Sequence, residues 1–144
     1  MRVSGSGLET VIKVKHFQVK KAQRELAEIK VNREKEQGAL NELEVSKDSA
    51  MTDAVRIMRT RAGDLQTSRA FIQSLSRQIS QQEDRLGEIK QQEDDKRGEL
   101  LEKTKSQQMV EKLDQKRKDE AVKEVDRKAQ RMLDILAQRL KMGF

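Results

Sequence analysis

Apolar residues in the first third of the chain recur at alternating spacings of four and three. The slots at 8, 12, 15, 19, 22, 26, 29, 33, 36, 40 and 43 hold Leu8, Ile12, Val19, Ala22, Leu26, Ile29, Leu40 and Leu43, with Lys15, Arg33 and Glu36 as exceptions. A 3.5-residue repeat keeps one narrow seam facing a neighbouring helix while the remaining positions stay charged. The weak break Ser46-Lys47-Asp48-Ser49 follows, and the apolar spacing resumes one position out of phase at Met51, Val55, Met58, Ala62 and Leu65. Arg61-Ala62-Gly63-Asp64 is the strongest turn signal, with Thr67 and Ser68 as N-cap candidates behind it. A second seam runs through Ile72, Leu75, Ile79, Leu86 and Ile89, turns polar from 93 to 107 apart from Leu100, and returns at Val110 and Leu113. Val122, Val125, Ala129, Met132 and Leu136 form a last apolar face.

The chain has no proline, so nothing removes a backbone donor or clashes with a preceding turn. The pattern predicts an all-α fold, a long antiparallel two-helix coiled coil or helical hairpin. Residues 1–7, with Ser4-Gly5-Ser6-Gly7, read as a flexible leader. Residues 8–144 form the hairpin: helix one about 8–60, a turn near 61–67, and helix two about 68–141. A turn centred on Gly63 places Arg33 opposite Glu93, Glu36 opposite Lys90, Leu26 opposite Leu100 and Leu8 opposite Lys118. Polar slots then meet polar slots, which fixes register at little gain in energy.

That register leaves residues beyond about 120 overhanging, with an apolar stripe from Val122 to Leu140 that requires a partner. Burying one such side chain contributes about 1.5–3 kcal/mol, whereas ordering the backbone costs about 1–2 kcal/mol per residue. A two-helix seam is thus marginal alone, and its ends call for another protein.

Composition narrows the function. Apolar residues make up 34% of the 144 and charged residues 39%, with three Phe as the only aromatics, too few for a thick interior. Disorder is the competing reading of so polar a chain, and the ordered spacing argues against it. Absence of cysteine excludes a disulfide framework and a thiolate zinc site and fits a reducing cytoplasm. The first residues lack the apolar core of a secretory signal, and no run approaches the roughly 20 apolar residues that span a bilayer, so a soluble protein is expected.

The net charge of +6 is concentrated at the ends: +4 over residues 1–30, −2 over 31–111 and +4 over 112–144. In a hairpin the two basic ends meet, which suits an acidic protein surface or a nucleic acid. Lys112, Lys116, Arg117 and Lys118 are interleaved with Asp114, Asp119 and Glu120, and stacking aromatics are missing, so a protein surface is the better match. A basic coiled-coil scaffold on nucleic acid stays as an alternative, and membrane-surface binding lacks aromatic anchors.

Chemistry finds little support. No glycine sits in a phosphate-loop context. Glu93-Asp94-Asp95 points in different directions around a helix and reads as a solvated face, not a metal site. His16, the only histidine, lacks a second ligand or nucleophile and reads as a surface residue. The expectation is a mechanical or adhesive protein, not an enzyme, with no cofactor and no metal. Phe71, beside seam residue Ile72 and close to the predicted turn, is either a contact point for a partner or a cap on the hairpin core.

Four landmarks in order carry a family resemblance: Gly7-Leu8-Glu9-Thr10-Val11, Ala22-Gln23-Arg24-Glu25-Leu26, Phe71-Ile72-Gln73-Ser74-Leu75, and the basic close from Asp114 to Arg139. Together they resemble the FliJ family of flagellar export proteins over nearly the whole chain. The resemblance implies an antiparallel two-helix coiled coil similar to the γ stalk of rotary ATPases. It implies a cytoplasmic protein, peripherally associated with the inner membrane at the flagellar basal body. Its paired termini would enter the hexameric ring of the export ATPase, FliI, through Leu8, Ile12, Met132, Ile135, Leu136 and Leu140. The mid-chain surface, with Leu43, Phe71 and Leu75, would meet the export gate, FlhA, and the protein would escort export chaperones. Relatives with mid-chain tyrosines differ from this chain, which has none. The equivalent stalk of a virulence type III secretion system is the alternative system. Arms of about fifty residues would be roughly 75–80 Å long at 1.5 Å per residue.

Overall fold

The computed structural model describes residues 5–58 and 64–143. Two α-helices account for nearly all of them: α1, Gly5–Met58, and α2, Leu65–Lys141. Of the turn expected near 61–67, residues 61–63 lie outside the described residues and 65–67 are already helical. Helix α1 already begins at Gly5, inside the segment read as a leader. Helix α2 begins at Leu65, so Thr67 and Ser68 lie in its first turn and not at its cap. Ser46–Ser49 does not interrupt α1, where Thr52 Oγ1 donates to the Asp48 carbonyl at 3.0 Å. Gly143, at φ +76°, ends α2 in the left-handed region that glycine enters without steric cost, and the Met142 amide closes onto the Gln138 carbonyl at 3.0 Å.

The helices pack side by side as two compact units, Lys21–Leu100 and the combination of Met1–Lys20 with Leu101–Phe144. In the first unit Glu25 pairs with Lys96 and Glu36 with Arg85, so partners on α2 fall in number as those on α1 rise: the pair is antiparallel. Ala22, Leu26, Leu40, Leu75, Leu86 and Ile89 are buried there. All eleven slots of the first seam, including Lys15, Arg33 and Glu36, are buried or half-buried.

Two departures from the sequence pattern come from phase. The seam of α1 does not shift after residue 43 but continues through Lys47, Ala50, Ala54 and Ile57, leaving Met51, Val55 and Met58 exposed. An unbroken helix keeps its phase, and two alanines allow close approach where the methionines would need a stutter. On α2 the repeat likewise runs on through Glu93, Lys96, Leu100, Lys103, Gln107 and Val110 to Asp114, and Leu113 is exposed.

The polar stretch of the seam is fully partnered. Arg33 meets Glu93 as the register requires, with Nη1 2.9 Å from Oε2. Glu36 does not meet Lys90: the Gln82 side-chain amide donates to its carbonyl at 2.9 Å and Arg85 stands 3.9 Å from its carboxylate, one to two turns before Lys90. Long side chains reach along the groove to the nearest complementary group. Glu93, read as part of a solvated face, is 2% exposed and held by Arg33 and Arg97; Asp94 and Asp95 do face solvent. Among the described residues no buried side-chain nitrogen or oxygen lacks a partner.

Candidate functional site

In the unit formed by the two ends of the chain, α1 covers α2 only as far as Asp114. His16, itself exposed, lies between Gln107 and Glu111, its ring nitrogens 3.0 and 3.1 Å from the Gln107 amide and Nε2 3.2 Å from the Glu111 carboxylate. Leu8 and Ile12 are half-buried against this part of α2. From residue 115 to 141 every position of α2 is exposed. Met132, Ile135, Leu136 and Leu140 therefore stand on bare helix, about 27 Å beyond Asp114 at the first of them, and are not brought against Leu8 and Ile12.

A lone helix needs local support, and this one has it. Gln115 donates to Asp119 at 3.0 Å, Gln130 to Asp134 at 3.1 Å, and Lys118 pairs with Asp114 at 3.0 Å. Each such pair one turn apart adds about 0.2–0.5 kcal/mol to an isolated helix. The helix is thereby held ready while Val122, Val125, Met132, Leu133, Leu136 and Leu140 remain in water, Leu140 78% exposed. Contiguous apolar surface of this kind marks an interaction site.

The other unit carries the second set. Phe71 is 56% exposed and lines a cleft of about 320 Å³ with Ala50, Asp53, Ile57, Thr67 and Ser68. It is not folded into the hairpin core. Leu75, one turn on, is 6% exposed and packs inside the seam, and Leu43 is half-buried. Of the three mid-chain residues only Phe71 offers its side chain freely. Met51, Val55 and Met58 add an exposed apolar row that sequence reading assigned to the seam; counting the four-three spacing through residues 47, 50, 54 and 57 would have found it.

The electrostatics of this unit centre on Lys96. A hydrogen bond from Lys96 holds the Glu25 carboxyl below its usual pKa, and hydrogen bonds to Glu25 and then Glu99 hold the Lys96 amine above its own. Among the described residues no group of three or more His, Asp or Glu is placed to hold a metal ion. No described helix is long and apolar enough to cross a membrane.

The model of the family described as "Flagellar FliJ protein" matches residues 4–143. No curated relative and no solved structure matches the chain. The match spans both units, the antiparallel hairpin seam and the uncovered end of α2. The chain belongs to the FliJ family of flagellar export-related stalk proteins.

Proposed function

We propose that this chain is the stalk of a flagellar protein-export apparatus. Its terminal unit grips the hexameric export ATPase (FliI-type), its mid-chain unit meets the export gate (FlhA-type), and it escorts export chaperones. The observation that carries this reading is the bare helix from 115 to 141, apolar along one face and basic overall, in the same unit as the start of α1. Such a face gains free energy only when another protein covers it. Met132, Leu136 and Leu140 are its anchors, with Ile135 at the flank and Leu8 and Ile12 supporting α2 from the covered side. At the mid-chain, Phe71 is the direct contact, and Leu75 acts by packing beneath it. The work is done in the cytoplasm, with the membrane reached through the gate protein.

The test uses the full-length chain and the purified export ATPase of the same cell. Adding the chain accelerates ATP hydrolysis and promotes ring assembly, and Leu136→Asp with Leu140→Asp abolishes both effects. Hydrolysis and assembly unchanged by a molar excess of the unaltered chain overturn the reading.

A further inference from the structure

Charges on the outer side of α2 are sorted into two rows. In the unit Lys21–Leu100, Asp84, Glu88, Asp95 and Glu99 follow a spacing of four, seven and four. In the terminal unit, Lys112, Lys116, Lys123 and Arg127 follow the same spacing. At about 100° per residue each row keeps within an arc of about 60°. Each lies on the side turned away from its own stretch of seam, the first from Gln82, Leu86, Ile89 and Glu93, the second from Lys103, Gln107, Val110 and Asp114. No basic residue enters the first arc and no carboxylate the second. Every one of these row residues is exposed except Glu99, which is half-buried. Asp84, Glu88, Lys112, Lys116 and Lys123 have no hydrogen-bond or ion-pair partner among the described residues.

Equal spacing makes the rows complementary in one direction only. Two such helices running antiparallel set Asp84 against Arg127, Glu88 against Lys123, Asp95 against Lys116 and Glu99 against Lys112, all at one offset. The carboxylates that border the basic row, Asp119 and Glu120, fall opposite Gln92 and Gln91, so no like charges meet. Moving the register by one heptad sets Asp84 against Glu120 or Asp134, and parallel alignment in register sets each charge against its own copy. Repulsion between like charges disfavours both.

Both rows share that offset, so a two-fold axis between Lys105 and Ser106 forms every pair twice. Near the axis Met109 and Leu113 stand in water, 71% and 45% exposed. Leu113 falls opposite Gly98 of the other copy, an exposed position with no side chain to hold it off.

We infer that two copies of this chain associate antiparallel along the outer side of α2, the acidic row of each laid on the basic row of the other. Single exposed ion pairs are weak and salt screens them. Four pairs made twice, with Met109 and Leu113 between them, set direction and register and give a dimer whose strength depends on salt. The dimer is independent of the reading that the terminal unit meets the ATPase.

Sedimentation equilibrium of the full-length chain tests it at salt concentrations where charges act over about 10 Å (0.1 M) and about 3 Å (1 M). The dimer forms below millimolar concentration at the lower salt and weakens at least tenfold at the higher. Glu88→Lys with Asp95→Lys, and separately Lys116→Glu with Lys123→Glu, each weakens it at least tenfold, with helix content by circular dichroism unchanged. An equimolar mixture of the two double variants restores dimers to within threefold, because the altered rows complement each other and the unaltered rows still do. An unaltered chain that stays monomeric into the millimolar range, a dimer that survives both double variants, or a mixture that stays monomeric overturns the inference.

Discussion

Arg33 on α1 and Glu93 on α2 form an ion pair across the hairpin, Nη1 to Oε2 at 2.9 Å, with the carboxylate 2% exposed and a second guanidinium, that of Arg97, 2.7 Å from its other oxygen. The pair lies within the apolar seam, so its formation fixes which residues face each other more than it adds stability. Removing one partner strands a buried charge, whereas removing both restores an apolar layer. Glu93→Leu alone is expected to lower stability by about 1–3 kcal/mol, because Arg33 then lies half-buried without its carboxylate. Arg33→Leu with Glu93→Leu recovers most of that loss. Urea unfolding of the two single variants and the double variant supplies the cycle; additive losses contradict a coupled pair.

Gly38 and Gly87 sit inside helices with no need for glycine's backbone freedom. A Cβ built on either meets nothing within 4 Å. Glycine in a helix interior costs about 0.8–1.0 kcal/mol relative to alanine, partly through the entropy of the unfolded chain. Gly38→Ala and Gly87→Ala are each expected to raise stability by about 0.5–1 kcal/mol and the melting temperature with it. A fall in melting temperature at either site means that the hairpin bends there.

The Glu25–Lys96 pair sets limits at both ends of the pH scale. Glu25 has its pKa depressed by the hydrogen bond from Lys96, so its contribution is present above the ordinary carboxyl value of about 4.3 and is lost as pH falls through the depressed value. Lys96 has its pKa raised by Glu25 and Glu99, so its contribution is complete below about 10.4 and is lost as pH rises through the raised value. Thermal melts of the unaltered chain and of Glu25→Gln should differ by a constant amount near neutrality. The difference closes in the acid range, and one that persists at pH 2 excludes this origin.

What the sequence made legible is what a repeat encodes. Val19, Ala22, Leu26 and Leu40 lie where the four-three spacing puts them, and Arg33 finds Glu93 because both are polar interruptions of matching seams. Phase was harder to read. Met51, Val55 and Met58 drew the expected seam out of step, whereas the helix carries Ala50 and Ala54 inward since continuity of a rigid helix outweighs the burial of a few methyl groups. Leu113 and Asp114 exchanged roles for the same reason. Glu36 chose Gln82 and Arg85 over Lys90, a preference set by side-chain reach that spacing does not record. The C-terminal stripe was visible as apolar residues; that cover by α1 ends at Asp114 emerged only from the structure.

Phe71 and Leu75, one turn apart at the start of α2, divide contact from support. Leu75 is buried, so Leu75→Ala removes packed methyl groups from a thin seam that cannot close around the gap, at a cost of about 2–4 kcal/mol. Phe71 is more than half exposed at the mouth of its cleft, so Phe71→Ala changes stability by no more than about 0.5 kcal/mol. If Phe71 is the gate contact, the same substitution lowers capture of the export gate's cytoplasmic part by the full-length chain at least tenfold. Leu75→Ala lowers capture only near its reduced melting temperature, where the helix pair itself is opening. Measuring melting and capture on the same two variants separates the roles. Equal capture by Phe71→Ala and the unaltered chain moves the contact away from this cleft, towards the exposed row of Met51, Val55 and Met58.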